Sequence, residues 1–179
     1  MARALIGPVW GHRALFVALA LLLMIVRMLP LSTLPVSVPG PDILVCIACA
    51  WVLRRPDYVP VLLIAAVFLL EDFLLMRPPG LWAVIVLVGT EFLRNRVGLM
   101  REVGLAMEWA LVSVVMFAMV VAYRLVFAAA LMQEPPIALV ALQLLGSILA
   151  YPVVVALSGL LFGLRKTAPG QTDSLGRRI

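Results

Sequence analysis

Residues 68–80 read FLLEDFLLMRPPG, with two adjacent carboxylates, Glu71 and Asp72, inside a run otherwise as apolar as a lipid tail. Working outward, apolar residues continue back to Val59, and after Arg77, Pro78, Pro79 and Gly80 they resume at Leu81. Such a stretch reads as a membrane helix closed by a Pro/Gly turn. The whole chain agrees: 65% of its residues are hydrophobic and 13% charged, with a mean hydropathy of +1.16. A soluble domain is only about half apolar. A hydrocarbon core of about 30 Å needs about 20 helical residues per crossing, so 179 residues hold about six or seven crossings at most. A polytopic membrane protein without a separate soluble domain is expected.

The opening MARALIGPVWGHRALFVALALLLMIVRMLPL has the charged start and apolar stretch of a signal peptide. Its apolar part runs too long, and Arg27 followed by a Pro-rich segment makes a poor cleavage site, so it reads as a retained first span. Further apolar segments lie near 42–53, 59–76, 80–93, 103–131 and 137–164, after the first at 14–31. Pro, Gly and charge separate them, which gives six helices. The second and fourth are short, a dozen residues rising only about 18 Å. They must borrow flanking residues, thin the bilayer or sit behind neighbours.

The chain carries 14 Lys and Arg against 9 Asp and Glu, a net charge of +5. These basic residues fall in short clusters between apolar runs, which argues for topology signals rather than a nucleic-acid surface. With the N-terminus inside, all but Arg27, Arg77 and Arg124 fall on the cytoplasmic side. That bias supports six spans with both termini inside. Residues 1–165 are then one polytopic membrane domain. The tail 166–179 is polar and predicted to be a disordered cytoplasmic segment.

Ionisable groups within a span cost about 3 kcal/mol each on insertion scales and normally face protein or water with a partner. Helical rise puts Asp72 about 20 Å past Val59, and Arg27 about 21 Å past Arg13. Arg124 lies about 33 Å from Glu102 by the same rise. The matching depths predict that Arg27, and secondarily Arg124, pairs with Glu71 and Asp72 between helices. Successive helical residues point about 100° apart, so only one of the two carboxylates need face the first helix. Asp42, in PGPD at the start of the second span, is placed to cap orphan amides and to suit the positive end of the helix dipole. Glu91, Glu102 and Glu108 lie near Arg54, Arg55, Arg94, Arg96 and Arg101, where snorkelling salt bridges at helix ends are expected.

Catalytic signatures are missing from the sequence. There is no HExxH, GxSxG or P-loop pattern, and the lone His12 precedes the first span. Glu71 and Asp72 would have to act alone as a proton relay or an acid/base pair, without nucleophile or metal ligands, so the chain reads as no enzyme and as binding no cofactor or metal. Cys46 and Cys49 lie in ILVCIACAW, where cysteine behaves as a small hydrophobe rather than a redox pair. Gly159-x-x-x-Gly163 permits close helix approach, and Tyr151-Pro152 is expected to kink the last span. A transporter subunit is the rival reading, since buried charge marks substrate routes. Few polar residues within the spans and no evident inverted repeat stand against it.

The stretch PDILVCIACAWVLRRPDYVPVLLIAAVFLLEDFLLMRPPGLWAVIVLVGTEFLR resembles the MreD family of rod-shape-determining proteins, especially its alphaproteobacterial members. The matching positions are Pro41, Asp42, Arg55, Pro56, Leu69, Leu70, Asp72, Gly80, Leu81 and Ala83, and the likeness is concentrated in residues 41 to 95. Phe68 and Met76 stand where many members have small residues, and Trp82 where a His is common. The resemblance implies a fold similar to the substrate-binding subunits of energy-coupling-factor transporters. It also implies a multi-pass protein of the bacterial inner membrane that scaffolds the elongation machinery. In that role it binds MreC, works with the actin-like MreB, and through MreC works with the RodA glycosyltransferase and its penicillin-binding transpeptidase. The site implied for MreC or for inter-helix charge pairing comprises Asp42, Asp72, Arg27, Arg77 and Gly80, with Glu71 and Arg124 accessory. The alternative is a small-molecule- or lipid-binding transporter subunit.

Overall fold

A computed structural model describes residues 8–29, 39–100, 103–131 and 136–162. Among these there is helix and turn but no strand. The helices are α1 (Pro8–Met28), α2 (Ile43–Arg54), α3 (Val61–Leu74), α4 (Leu81–Arg94), the single turn α5 (Val97–Met100), α6 (Leu105–Ala129) and α7 (Ile137–Phe162), with a 3-10 turn at Pro56–Tyr58. Three of them, Val9–Met28, Leu105–Ala129 and Ile137–Phe162, are long and apolar enough to cross a membrane. The helices α2, α3 and α4 have 12, 14 and 14 residues, a length of about 18–21 Å.

Local sequence sets these limits. The Asp42 carboxylate caps α2 by accepting the Val45 N–H at 3.2 Å. The helix stops at Arg54 because Arg55 precedes Pro56, whose ring disfavours helical backbone at the residue before it. At the other end of α3, Met76 takes the left-handed conformation (φ 51°). Its N–H donates to Phe73 O at 3.4 Å and the Arg77 N–H to Asp72 O at 3.0 Å. These two bonds form a Schellman cap, which normally uses glycine. Gly80 (φ 84°) then turns the chain into α4, at an angle that L side chains disfavour.

Ten of the twelve residues of α2 are buried. This short helix sits behind its neighbours, packed against α7 and α4, with Trp51 between Phe16 of α1 and Phe162 of α7. Gly89 lets α4 approach α6, since a methyl there would lie 3.2 Å from Met119 Cγ and collide with the end of that side chain. Large apolar side chains cover the outside, among them Leu62, Phe73, Val88, Val114, Leu125 and Leu160, whereas Glu71, Asp72 and Glu108 are fully buried. Charge inside and bare hydrocarbon outside inverts the pattern of a water-soluble protein and is what a lipid solvent selects.

Two expectations need correction. Glu108 does not snorkel at a helix end; it is fully buried. Its Oε1 accepts from Arg54 Nη2 at 3.3 Å and from Tyr151 Oη at 2.9 Å. In addition, the chain between α4 and α6 contains the extra helical turn α5. Pro152 lies within α7, which is assigned as one helix from Ile137 to Phe162. Glu102, Arg101, Gly163 and the tail 166–179 lie outside the described residues.

Candidate functional site

The polar groups of the bundle gather at two levels. At the Arg13 end, the Arg13 guanidinium donates to Asp57 O at 3.2 and 3.0 Å, and His12 stacks on Tyr58 with centroids 4.2 Å apart. Arg94 donates to the carbonyls of Pro56 (3.0 Å) and Val59 (2.7 Å) and to Glu91 Oε1 (2.7 Å). Here the arginines bond backbone carbonyls at the break between α2 and α3, one of which, Pro56 O, also accepts the Val59 N–H at 3.3 Å.

At the Arg27 end, several helices meet at one joint. Arg27, in the last turn of α1, donates from Nη2 to Asp42 Oδ1 at 2.8 Å and from Nη1 to Glu71 Oε1 at 2.5 Å. Its planar fork is thus shared between the start of α2 and the last turns of α3, the geometry that suits arginine over lysine. The Asp42 N–H donates to Ser147 Oγ at 2.7 Å, and that hydroxyl donates to Gln143 O at 2.8 Å. Cys46 Sγ donates to Ser147 O at 3.3 Å. These bonds tie the first turn of α2 to α7.

The expected pairing of Arg27 with Glu71 and Asp72 is therefore corrected for Asp72. The carboxylate that meets Arg27 in α3 is Glu71, and the second partner is Asp42. Asp72 points instead to α4, where Oδ2 accepts the Ala83 N–H at 3.1 Å. It serves as a cap supplied from outside that helix, where Gly80, at the cap position, has no side chain to offer. Among the described residues, Glu71 Oε2 and Asp72 Oδ1 have no hydrogen-bond partner. Two acidic groups share one guanidinium, so the arrangement is a clamp with surplus negative charge. No hydroxyl or thiol nucleophile contacts either carboxylate of α3 in the bonds described.

Beside the joint lies a cavity of about 270 Å³. Its walls come from α2, α4, α6 and α7 and include Asp42, Arg77, Trp82, Tyr123, Arg124 and Ser147. The Arg77 guanidinium sits 5.6 Å from the Trp82 ring centroid, a cation–π distance. Trp82 meets Tyr123 edge to face at 5.4 Å. The accessory residue Arg124 is placed on this cavity wall, and Gly80 lies at the turn beside it.

Sequence reasoning gave no site role to Ser147, Tyr151, Trp82 or Tyr123. A signal was available in α7, where Gln143, Ser147 and Tyr151 recur every four residues in an apolar helix. That spacing marks one face, and it is the face turned to α2. No protein-family model, curated protein or solved structure matches the chain.

Proposed function

We propose that the chain is a membrane scaffold of the MreD type, with six spans and both termini inside, in a bacterial inner membrane. In this reading α2, α3 and α4 cross the bilayer together with α1, α6 and α7, in an arrangement similar to energy-coupling-factor binding subunits. The scaffold binds MreC and couples MreB filaments to wall synthesis by RodA and its transpeptidase partner. One observation carries the reading: the positions that give the resemblance also build the joint at the Arg27 end. Asp42 caps α2, Asp72 caps α4 after the Gly80 turn, and the Ala83 N–H receives that cap.

Asp42 and Asp72 are buried, so their part in partner binding is to position a surface. That surface is the outer turn, where Phe73 and Met76 are exposed and Arg77 half-buried. Burial of such apolar side chains against a partner is the usual core of an interface. Co-purification of the tagged chain with an alphaproteobacterial MreC tests this. The complex should survive detergent extraction, and Met76→Glu should dissociate it without changing the melting temperature. Failure of the wild-type chain to retain MreC under any mild extraction would sink the proposal. The cavity favours a second reading, a ligand-binding transporter subunit, in which a small molecule rather than MreC raises the melting temperature.

A further inference from the structure

We propose that the cavity beside the joint binds a phosphate-bearing amphiphile, with its head at Arg77, Trp82 and Tyr123 and its apolar part along Met116 and Met119. The inference holds for a scaffold and for a transporter subunit alike, since it concerns only what fills the cavity.

Size comes first. A volume of about 270 Å³ is about nine times the share of one water in the liquid, and water enters only where it finds two to four polar partners. Most of the wall is hydrocarbon from Val45, Met116, Met119, Phe127, Val140 and Leu144, which offers water none. An apolar occupant is therefore favoured over a cluster of waters.

Polarity is graded along the wall. On α6, Met116 and Met119 lie one to two turns before Tyr123 and Arg124, a separation of about 10 Å along the axis from Met116 to Tyr123. The polar wall residues of α2 and α4, Asp42 and Trp82, come from the helix starts at this same end. The wall thus offers a polar mouth and an apolar depth, the profile of a molecule with a head and a tail.

The sign of the head follows from which groups are already engaged. Asp42 Oδ1 accepts from Arg27 and from the Val45 N–H, so this oxygen is already engaged within the joint. Arg77 has no carboxylate within ion-pair distance among the described residues, and its guanidinium lies over the face of Trp82. A guanidinium fork without an acceptor on this wall calls for an anion with several oxygens. Phosphate supplies them, and a lipid in the bilayer brings phosphate and hydrocarbon together.

The test uses the full-length chain, purified and delipidated in detergent, with three probes. They are phosphatidylglycerol, dioleoylglycerol as the same tail without phosphate, and inorganic phosphate as the head alone. Native mass spectrometry and melting temperature report binding. Phosphatidylglycerol should remain bound at one per chain and raise the melting temperature, with neither partial probe matching it. Arg77→Gln should weaken retention about tenfold or more, as loss of a charge-assisted contact implies. Val140→Trp, which fills the cavity from α7 and removes no donor, should abolish it. The proposal is overturned if both variants, folded by circular dichroism, hold phosphatidylglycerol as the wild type does, because the lipid then lies on the outer belt. It is also overturned if dioleoylglycerol or inorganic phosphate alone reproduces the full shift.

Discussion

Replacing Arg27 by methionine is the sharpest test of the joint. The Arg27 side chain is 23% exposed, Asp42 10% and Glu71 not at all, so most of the cluster is shielded from water. Methionine keeps much of the apolar stem but leaves Glu71 as a buried carboxylate without its counter-charge. Breaking a buried pair from one side costs about 3–5 kcal/mol, because the remaining charge is uncompensated. For a chain of this size each kcal/mol moves the melting temperature about 2–4 °C, so a drop of at least about 6–12 °C is expected. Adding Glu71→Met should recover much of the loss, since an apolar pair packs nearly as well as a buried ion pair. With the Glu71→Met single variant included, the cycle gives a coupling free energy, expected at about 2–3 kcal/mol. Thermal unfolding in a fixed detergent, followed by helix signal, measures all four proteins. If Arg27→Met costs less than about 1 kcal/mol, or the double variant is no better than the single, the clamp contributes nothing and the reasoning fails.

Other parts of the same end respond differently. Asp72→Asn keeps an acceptor for the Ala83 N–H, whereas Asp72→Ala leaves that N–H without one and should cost about 1–3 kcal/mol more in the same unfolding assay. Gly80→Ala should destabilise by about 1–2 kcal/mol, the steric cost of a left-handed L residue. Met76→Gly, at an exposed left-handed position, should stabilise by up to about 1 kcal/mol. Tyr151→Phe removes a 2.9 Å bond to Glu108 and should cost about 1.5–3 kcal/mol, the range for bonds to charged groups. A neutral result there would place Glu108 in reach of water.

The helices were legible in the sequence because apolar runs break where Pro, Gly or charge intervenes. The predicted segment 103–131 encloses α6, and 137–164 encloses α7. The first helix begins earlier than its apolar run, since Gly11, His12 and Arg13 still fall within α1. Depth was legible too, which is why Arg27 was set level with the EDF stretch. Azimuth was not: a shift of one residue changes depth by only about 1.5 Å but rotates the side chain about 100°. That ambiguity left open which of Glu71 and Asp72 faces Arg27. The direct pairing of Asp42 with Arg27 was not legible, because rise along one helix carries no information about where a loop returns the next. Glu108 was misplaced for a related reason, since position near a helix start does not tell whether α2 and α7 cover it.

The central structural proposal is that the short helices α2, α3 and α4 also cross the membrane, which places the Arg27 joint outside and the Arg13 end inside. Single cysteines in a Cys46→Ala, Cys49→Ala background test it, because Gly40, Asp57, Pro79 and Asn95 are all exposed at successive turns. Gly40→Cys and Pro79→Cys should react with a membrane-impermeant maleimide in intact cells, and Asp57→Cys and Asn95→Cys only after permeabilisation. Labelling of all four from the same side would contradict the six-span arrangement.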